Sequence, residues 1–127
     1  MNIRVVVVDD QPLVRAGFRM ILSSQPDIEV VGEAQDGAQA LRVVQQLRQT
    51  GTPADIVVMD IRMPVMDCVS ATRELCRDPS GAPRVMVLTT FDTDAEAFAS
   101  LQAGASGFLL KNAPPEELLS AVRTVAG

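Results

Sequence analysis

Five short apolar runs alternate strictly with five longer amphipathic runs along the chain, and this alternation constrains the fold more than any other feature. "IRVVVV" (3–8), "IEVVGEA" (28–34), "DIVVMD" (55–60), "RVMVLTT" (84–90) and "GFLLK" (107–111) read as strands. The segments 12–24, 37–49, 68–77, 94–104 and 115–126 between and after them read as helices. The strand runs are continuously apolar rather than alternating, so both faces of each strand must be covered. A parallel sheet with helices on both sides meets that requirement. Right-handed crossovers then leave few topologies.

Local signals punctuate the helices. Leu13, Val14, Gly17, Phe18, Ile21 and Leu22 are expected to form one apolar stripe on the first. Asp36 and Asp67 stand where N-caps belong. Gly104 is placed to close the fourth helix, and Pro115 falls in the first turn of the fifth. The stretches 49–55 and 78–83 carry turn chemistry only. The 127 residues suffice for one domain with a full core, and nothing suggests a linker or a repeat, so a single domain over 1–127 is expected.

Composition removes several kinds of chemistry. There is no His, which excludes His-based acid/base work and Ser-His triads. Zinc would need more than Cys68 and Cys76. On one helix those two would stand roughly 12 Å apart along the axis, beyond disulfide reach. They fit small core-side residues in a reducing cytoplasm. A net charge of −5 and 3% aromatic residues argue against a basic duplex-DNA surface and against stacking platforms for bases. No apolar run approaches the ~20 residues of a membrane span, and the N-terminus lacks a signal-peptide layout.

In an open parallel sheet the ligand site lies beyond the carboxyl ends of the strands. The first strand is followed by Asp9 and Asp10, the third ends at Asp60, the fourth at Thr89 and Thr90, and the fifth at Lys111. The second gives Glu33 and Asp36, with nothing obviously paired to them. Taken singly, each has an ordinary explanation: a solvated acidic turn, a strand-end aspartate, a β-branched strand former, a surface lysine. Their gathering at one edge is what points to a site. Adjacent aspartates repel by ~4 kcal/mol at about 4 Å and an effective dielectric near 20, and they become tolerable together when they hold a cation. Carboxylates without His or Cys suit a hard, oxygen-preferring ion such as Mg²⁺. One further carboxylate, Asp60, is then available as a nucleophile toward phosphorus. Mg²⁺ and Lys111 would neutralise the phosphoryl oxygens, and Thr89 would hydrogen-bond one of them.

The pieces "VVDDQPLVRAG", "VVGEAQDG", "DIVVMDIRMPVMD", "VMVLTTFD" and "AGASGFLLKNAPPEELL" span the whole chain. With them the sequence resembles the receiver domain of a bacterial two-component response regulator, of the NarL/FixJ (LuxR-type) subfamily. The resemblance implies a flavodoxin-like doubly wound (βα)5 fold with strand order 2-1-3-4-5. It also implies that Asp60 accepts a phosphoryl group from a histidine kinase. Asp10 would bind Mg²⁺ directly (Mn²⁺ as a substitute), Asp9 mainly through water, and the backbone carbonyl of Arg62 would complete the protein ligands. Lys111 would contact the phosphoryl group, and Thr89 and Phe108 would form the switch. By the same analogy Arg62 and Phe91 flank the approach of the hydrolytic water, and slow self-dephosphorylation is expected. The surface of residues 94–126 would change on phosphorylation and support a homodimer.

Val65 and Cys68 stand where the family pattern has glycines, and Asn112 where many relatives have a cis proline; the geometry of the Lys111–Asn112 peptide stays open. The subfamily usually adds a DNA-binding helix-turn-helix, for which this sequence has no room. It is either an excised receiver or a stand-alone protein, and the resemblance favours excision. Three other readings are weaker. A carboxylate phosphatase with Asp9 as nucleophile normally has a second acid where Gln11 stands. A flavin carrier would need a Ser/Thr/Gly-rich phosphate loop after the first strand. A receiver working without phosphate would not retain the full set of acids, Thr89 and Lys111.

Overall fold

The computed structural model describes residues 3–60, 83–89, 106–110 and 113–126, with the side chains of Thr89, Phe108 and Ala126 outside that set. Strands β1 (Ile3–Val8), β2 (Ile28–Ala34), β3 (Ile56–Asp60), β4 (Arg84–Thr89) and β5 (Gly107–Leu110) form one sheet in the order β2-β1-β3-β4-β5. All four neighbouring pairs are parallel. The described helices are α1 (Pro12–Ser23), α2 (Gly37–Gln49) and α3 (Pro115–Ala126). The expected helices over 68–77 and 94–104 lie outside the described residues, as do Asp67 and Gly104.

The all-apolar strands have the predicted cause. Successive residues alternate between two cores, one on each face of the sheet. Val6, Val8, Val57, Met59, Val85 and Val87 pack toward α2, whose Ala40 and Val44 complete that layer. Val5, Val7, Ile56, Val58, Met86 and Leu88 pack on the other face with Leu22 of α1 and Leu118 and Val122 of α3. Val5 to Val8 are fully buried, each contributing about 1.5–3 kcal/mol of apolar transfer as an upper estimate.

Helix ends follow local chemistry. Asp36 caps α2 by accepting a hydrogen bond from the Gln39 amide at 2.8 Å. The Gln39 side chain reaches back and accepts from the Gln35 amide at 2.7 Å. Pro115 opens α3, with Glu116 and Glu117 in its first turn and Arg123 in its last, the charge order that the helix dipole favours. The predicted stripe on α1 needs one correction. Phe18, Ile21 and Leu22 face the core, but Leu13 is 88% exposed. At about 100° per residue, Leu13 lies on the far side of the helix from Leu22 and beside Met20, which is also exposed.

Strand β2 carries a bulge. Val5 pairs with Val30 and Val6 with Gly32, so Val31 is an extra residue. Val31 packs with the α2-side core. A Cβ at Gly32 would meet Val43 and Leu47 of α2. Two consecutive residues thus face α2, and the alternation downstream is shifted by one. Glu33 consequently points to the α1 face, where its ion-pair partners lie.

Candidate functional site

Because the sheet is parallel, the residues after β1 and at the ends of β3, β4 and β5 meet at one edge. The structure brings Asp9, Asp10 and Asp60 together there: one carboxylate oxygen from each lies within 4.8 Å of the others. Asp9 is fully buried, Asp60 is 4% exposed, and Asp10 is open to solvent. Two like charges at this separation repel by ~3 kcal/mol at an effective dielectric near 20. A donor set of oxygens only, partly buried and partly open, fits a hard cation that keeps some of its water.

Asp9 is held on three sides by its neighbours. Its amide donates to the carbonyl of Ala34 at 3.0 Å. Its Oδ1 accepts from the Gln11 amide at 2.8 Å. Its carbonyl accepts from Nη1 of Arg15 at 2.8 Å. Arg15 in turn pairs through Nε with Glu33 Oε1 at 3.3 Å, and Arg19 reaches Glu33 Oε2 at 3.0 Å. The strand-end acid without an obvious partner in the sequence therefore pairs with two arginines one helical turn apart. Sequence reasoning missed this pairing. The signal was present as arginines at i and i+4 on the first helix, but nothing in the strand pattern marked the bulge that turns Glu33 toward them.

Thr89 ends β4 at the same edge, its backbone in register with Leu110 of β5. The backbone of Phe108 pairs with Val87. Arg62, Phe91 and Lys111 lie outside the described residues, as do Val65, Cys68, Thr90 and Asn112.

A doubly wound parallel sheet with an acidic cluster beyond its carboxyl edge defines a flavodoxin-like domain. Comparison with known proteins narrows the class. Residues 5–123 match the response regulator receiver domain family, and the chain belongs to that family, the receivers of two-component systems. Its relatives are of the LuxR/NarL type. It is 41% identical over 127 residues to YxjL, an uncharacterized transcriptional regulatory protein of Bacillus subtilis, covering 98% of this chain and 55% of that protein. Among solved structures it is similar to the receiver domain assigned to a NarL response regulator of Mycobacterium tuberculosis. That match has 37% identity and a TM-score of 0.84, over 98% of this chain and 96% of that one. It is likewise similar to a LuxR-family two-component response regulator from Aurantimonas, with 36% identity and a TM-score of 0.83, over 99% and 86% of the two chains. The chain spans about half the length of the curated relatives it matches. Among the described residues, no helix is long and apolar enough to cross a membrane.

Proposed function

We propose that this receiver accepts a phosphoryl group on Asp60 and uses it to switch an output. The observation that carries the reading is the meeting of the Asp9, Asp10 and Asp60 carboxylates within 4.8 Å at the carboxyl edge of the sheet. A carboxylate oxygen of Asp60 attacks phosphorus, the phosphorus–nitrogen bond of a kinase phosphohistidine breaks, and its electron pair leaves with the imidazole nitrogen. The product is an acyl phosphate on Asp60.

Asp10, Asp60 and the backbone carbonyl of Arg62 would hold Mg²⁺ or Mn²⁺, with Asp9 acting mainly through water. When bound, the ion neutralises charge on the transferring phosphoryl oxygens. Lys111 offsets the charge that remains, and the Thr89 hydroxyl hydrogen-bonds a phosphoryl oxygen. Movement of Thr89 toward the phosphoryl group lets Phe108 turn inward, which remodels the surface of residues 94–126 and favours a homodimer. Unchanged Thr89 and Phe108 rotamers in a crystal structure with a phosphoryl mimic would remove this switch. The partner is a histidine kinase, and DNA control belongs to an output domain outside this receiver, as the transcriptional relatives suggest. The reaction is self-phosphorylation from a donor and slow self-dephosphorylation rather than turnover of a free substrate.

Incubation with acetyl phosphate and Mg²⁺, followed by intact-protein mass measurement, tests the reading. One added phosphoryl mass, lost when a chelator replaces Mg²⁺, is expected. No addition, or addition independent of the metal, contradicts it.

A further inference from the structure

Strand β2 supplies no carboxylate to the acidic cluster, yet the bulge in it aims Glu33 at the helix that follows the acid pair. We infer that Glu33 and Arg15 form a positioning clamp on the Asp9–Asp10 peptide, and that the β2 bulge exists to bring Glu33 into it. The inference rests on the metal-site reading above.

Without the extra residue, strict alternation from Val30, which packs on the α1 and α3 side, would send Glu33 toward α2. With it, Glu33 meets Arg15 and Arg19. Re-aiming a side chain beside a functional site is a recurrent use of such bulges. Arg15 is only 20% exposed, and its planar guanidinium makes two bonds in different directions. Nε engages Glu33 and Nη1 engages the Asp9 carbonyl. That carbonyl belongs to the peptide joining Asp9 to Asp10, so fixing it fixes the plane from which the Asp10 side chain departs. The Asp9 amide and Oδ1 are held separately, by Ala34 and Gln11. The arginine therefore supplies the constraint on the carbonyl side.

The charge of Arg15 and its geometry act in opposite directions on a bound cation. Removing a positive charge near a carboxylate cluster would by itself tighten Mg²⁺ binding. Removing a group that orients the ligands weakens it, typically by about 10-fold or more. The sign of the change separates the two roles. An open cavity of about 290 Å³ bordered by Arg15, Glu33, Ala34, Gln35 and Gln39 lets a neutral side chain replace Arg15 without overpacking.

The test measures Mg²⁺ binding by calorimetry and amide hydrogen exchange in metal-free protein for wild type, Arg15→Met, Arg15→Lys and Glu33→Gln. The clamp predicts that Arg15→Met weakens Mg²⁺ by about 10-fold and accelerates exchange at the Gln11 amide, with Val58 unchanged. Arg15→Lys keeps the charge but not the planar fork, so it too weakens binding; it also serves if Arg15→Met fails to fold. Glu33→Gln should accelerate Gln11 exchange in the same way. Unchanged or tighter Mg²⁺ binding in the folded arginine variants, or unchanged Gln11 exchange, overturns the clamp. Wild-type protein that binds no Mg²⁺ overturns the metal-site reading instead, and the exchange measurements still decide whether the clamp orders the acid pair.

Discussion

Gly32 and Val43 set how closely α2 lies on β2: a Cβ built at Gly32 would stand 2.7 Å from Val43 Cγ1. Val43 is β-branched and stiff at χ1, so it cannot swing aside freely. Gly32→Ala should destabilise the protein by about 1–3 kcal/mol, read as a lower urea midpoint with an unchanged slope. An unchanged midpoint would mean that the helix moves out at no cost.

The same contact shows what could be read ahead of the structure. The five strands, their parallel arrangement and the three clustered acids follow from apolar runs and from what stands after each, because burial on both faces and the shared carboxyl edge are consequences of the pattern; the strand order came from the family resemblance. The bulge at Val31 leaves no such trace, since "VVGEA" fits a regular strand equally well. Glu33 therefore looked unpartnered, although its partners are 14 and 18 residues away in the sequence. The apolar residues that crowd α1 predict Leu13 in its stripe. Its angle about the axis, shared with Met20 rather than with Leu22, decided otherwise.

Arg123 of α3 grips Asp27, just before β2, with Nε–Oδ2 at 2.9 Å and Nη2–Oδ1 at 3.0 Å. The hydrogen bond from Arg123 holds the Asp27 carboxyl below its ordinary value of 3.8, and the same bond raises Arg123. A lowered carboxylate stabilises the fold above its unfolded-state value, and this contribution is lost as pH falls through the lower folded-state value. Both groups are exposed, so the effect is small and screened. Arg123→Gln should lower Tm slightly near neutral pH, and the difference should shrink as the pH falls below the ordinary carboxylate range. A difference that grows on acidification would contradict the pairing.

Asp10→Ala should weaken Mg²⁺ binding more than Asp9→Ala, because the solvent-facing Asp10 is the proposed direct ligand while the fully buried Asp9 acts mainly through water. A tenfold or larger loss for Asp10→Ala, against a smaller one for Asp9→Ala, is the expected order of magnitude, about 1.4 kcal/mol per decade. Calorimetry giving the reverse order would exchange their roles.

Hydrolysis of the acyl phosphate needs a water in line with the bond that breaks. If Arg62 and Phe91 flank its approach, as the family resemblance implies, neither side chain activates that water, because Arg62 is a donor only and Phe91 neither donates nor accepts. Slow decay is therefore expected. Arg62→Asn combined with Phe91→Glu should release phosphate faster at saturating Mg²⁺ in a timed assay. An equal or slower rate would mean that these positions do not govern water access.

On the proposed reading Asp60, and neither member of the acid pair, carries the phosphoryl group. Borohydride reduces an acyl phosphate to the corresponding alcohol, which leaves homoserine in place of the phosphorylated aspartate. Protein treated with acetyl phosphate and Mg²⁺, then reduced, digested and sequenced by mass spectrometry, should show homoserine at position 60 alone, and Asp60→Asn should show none. Homoserine at position 9 or 10, or labelling that survives Asp60→Asn, would rule out Asp60 as the sole phosphoacceptor.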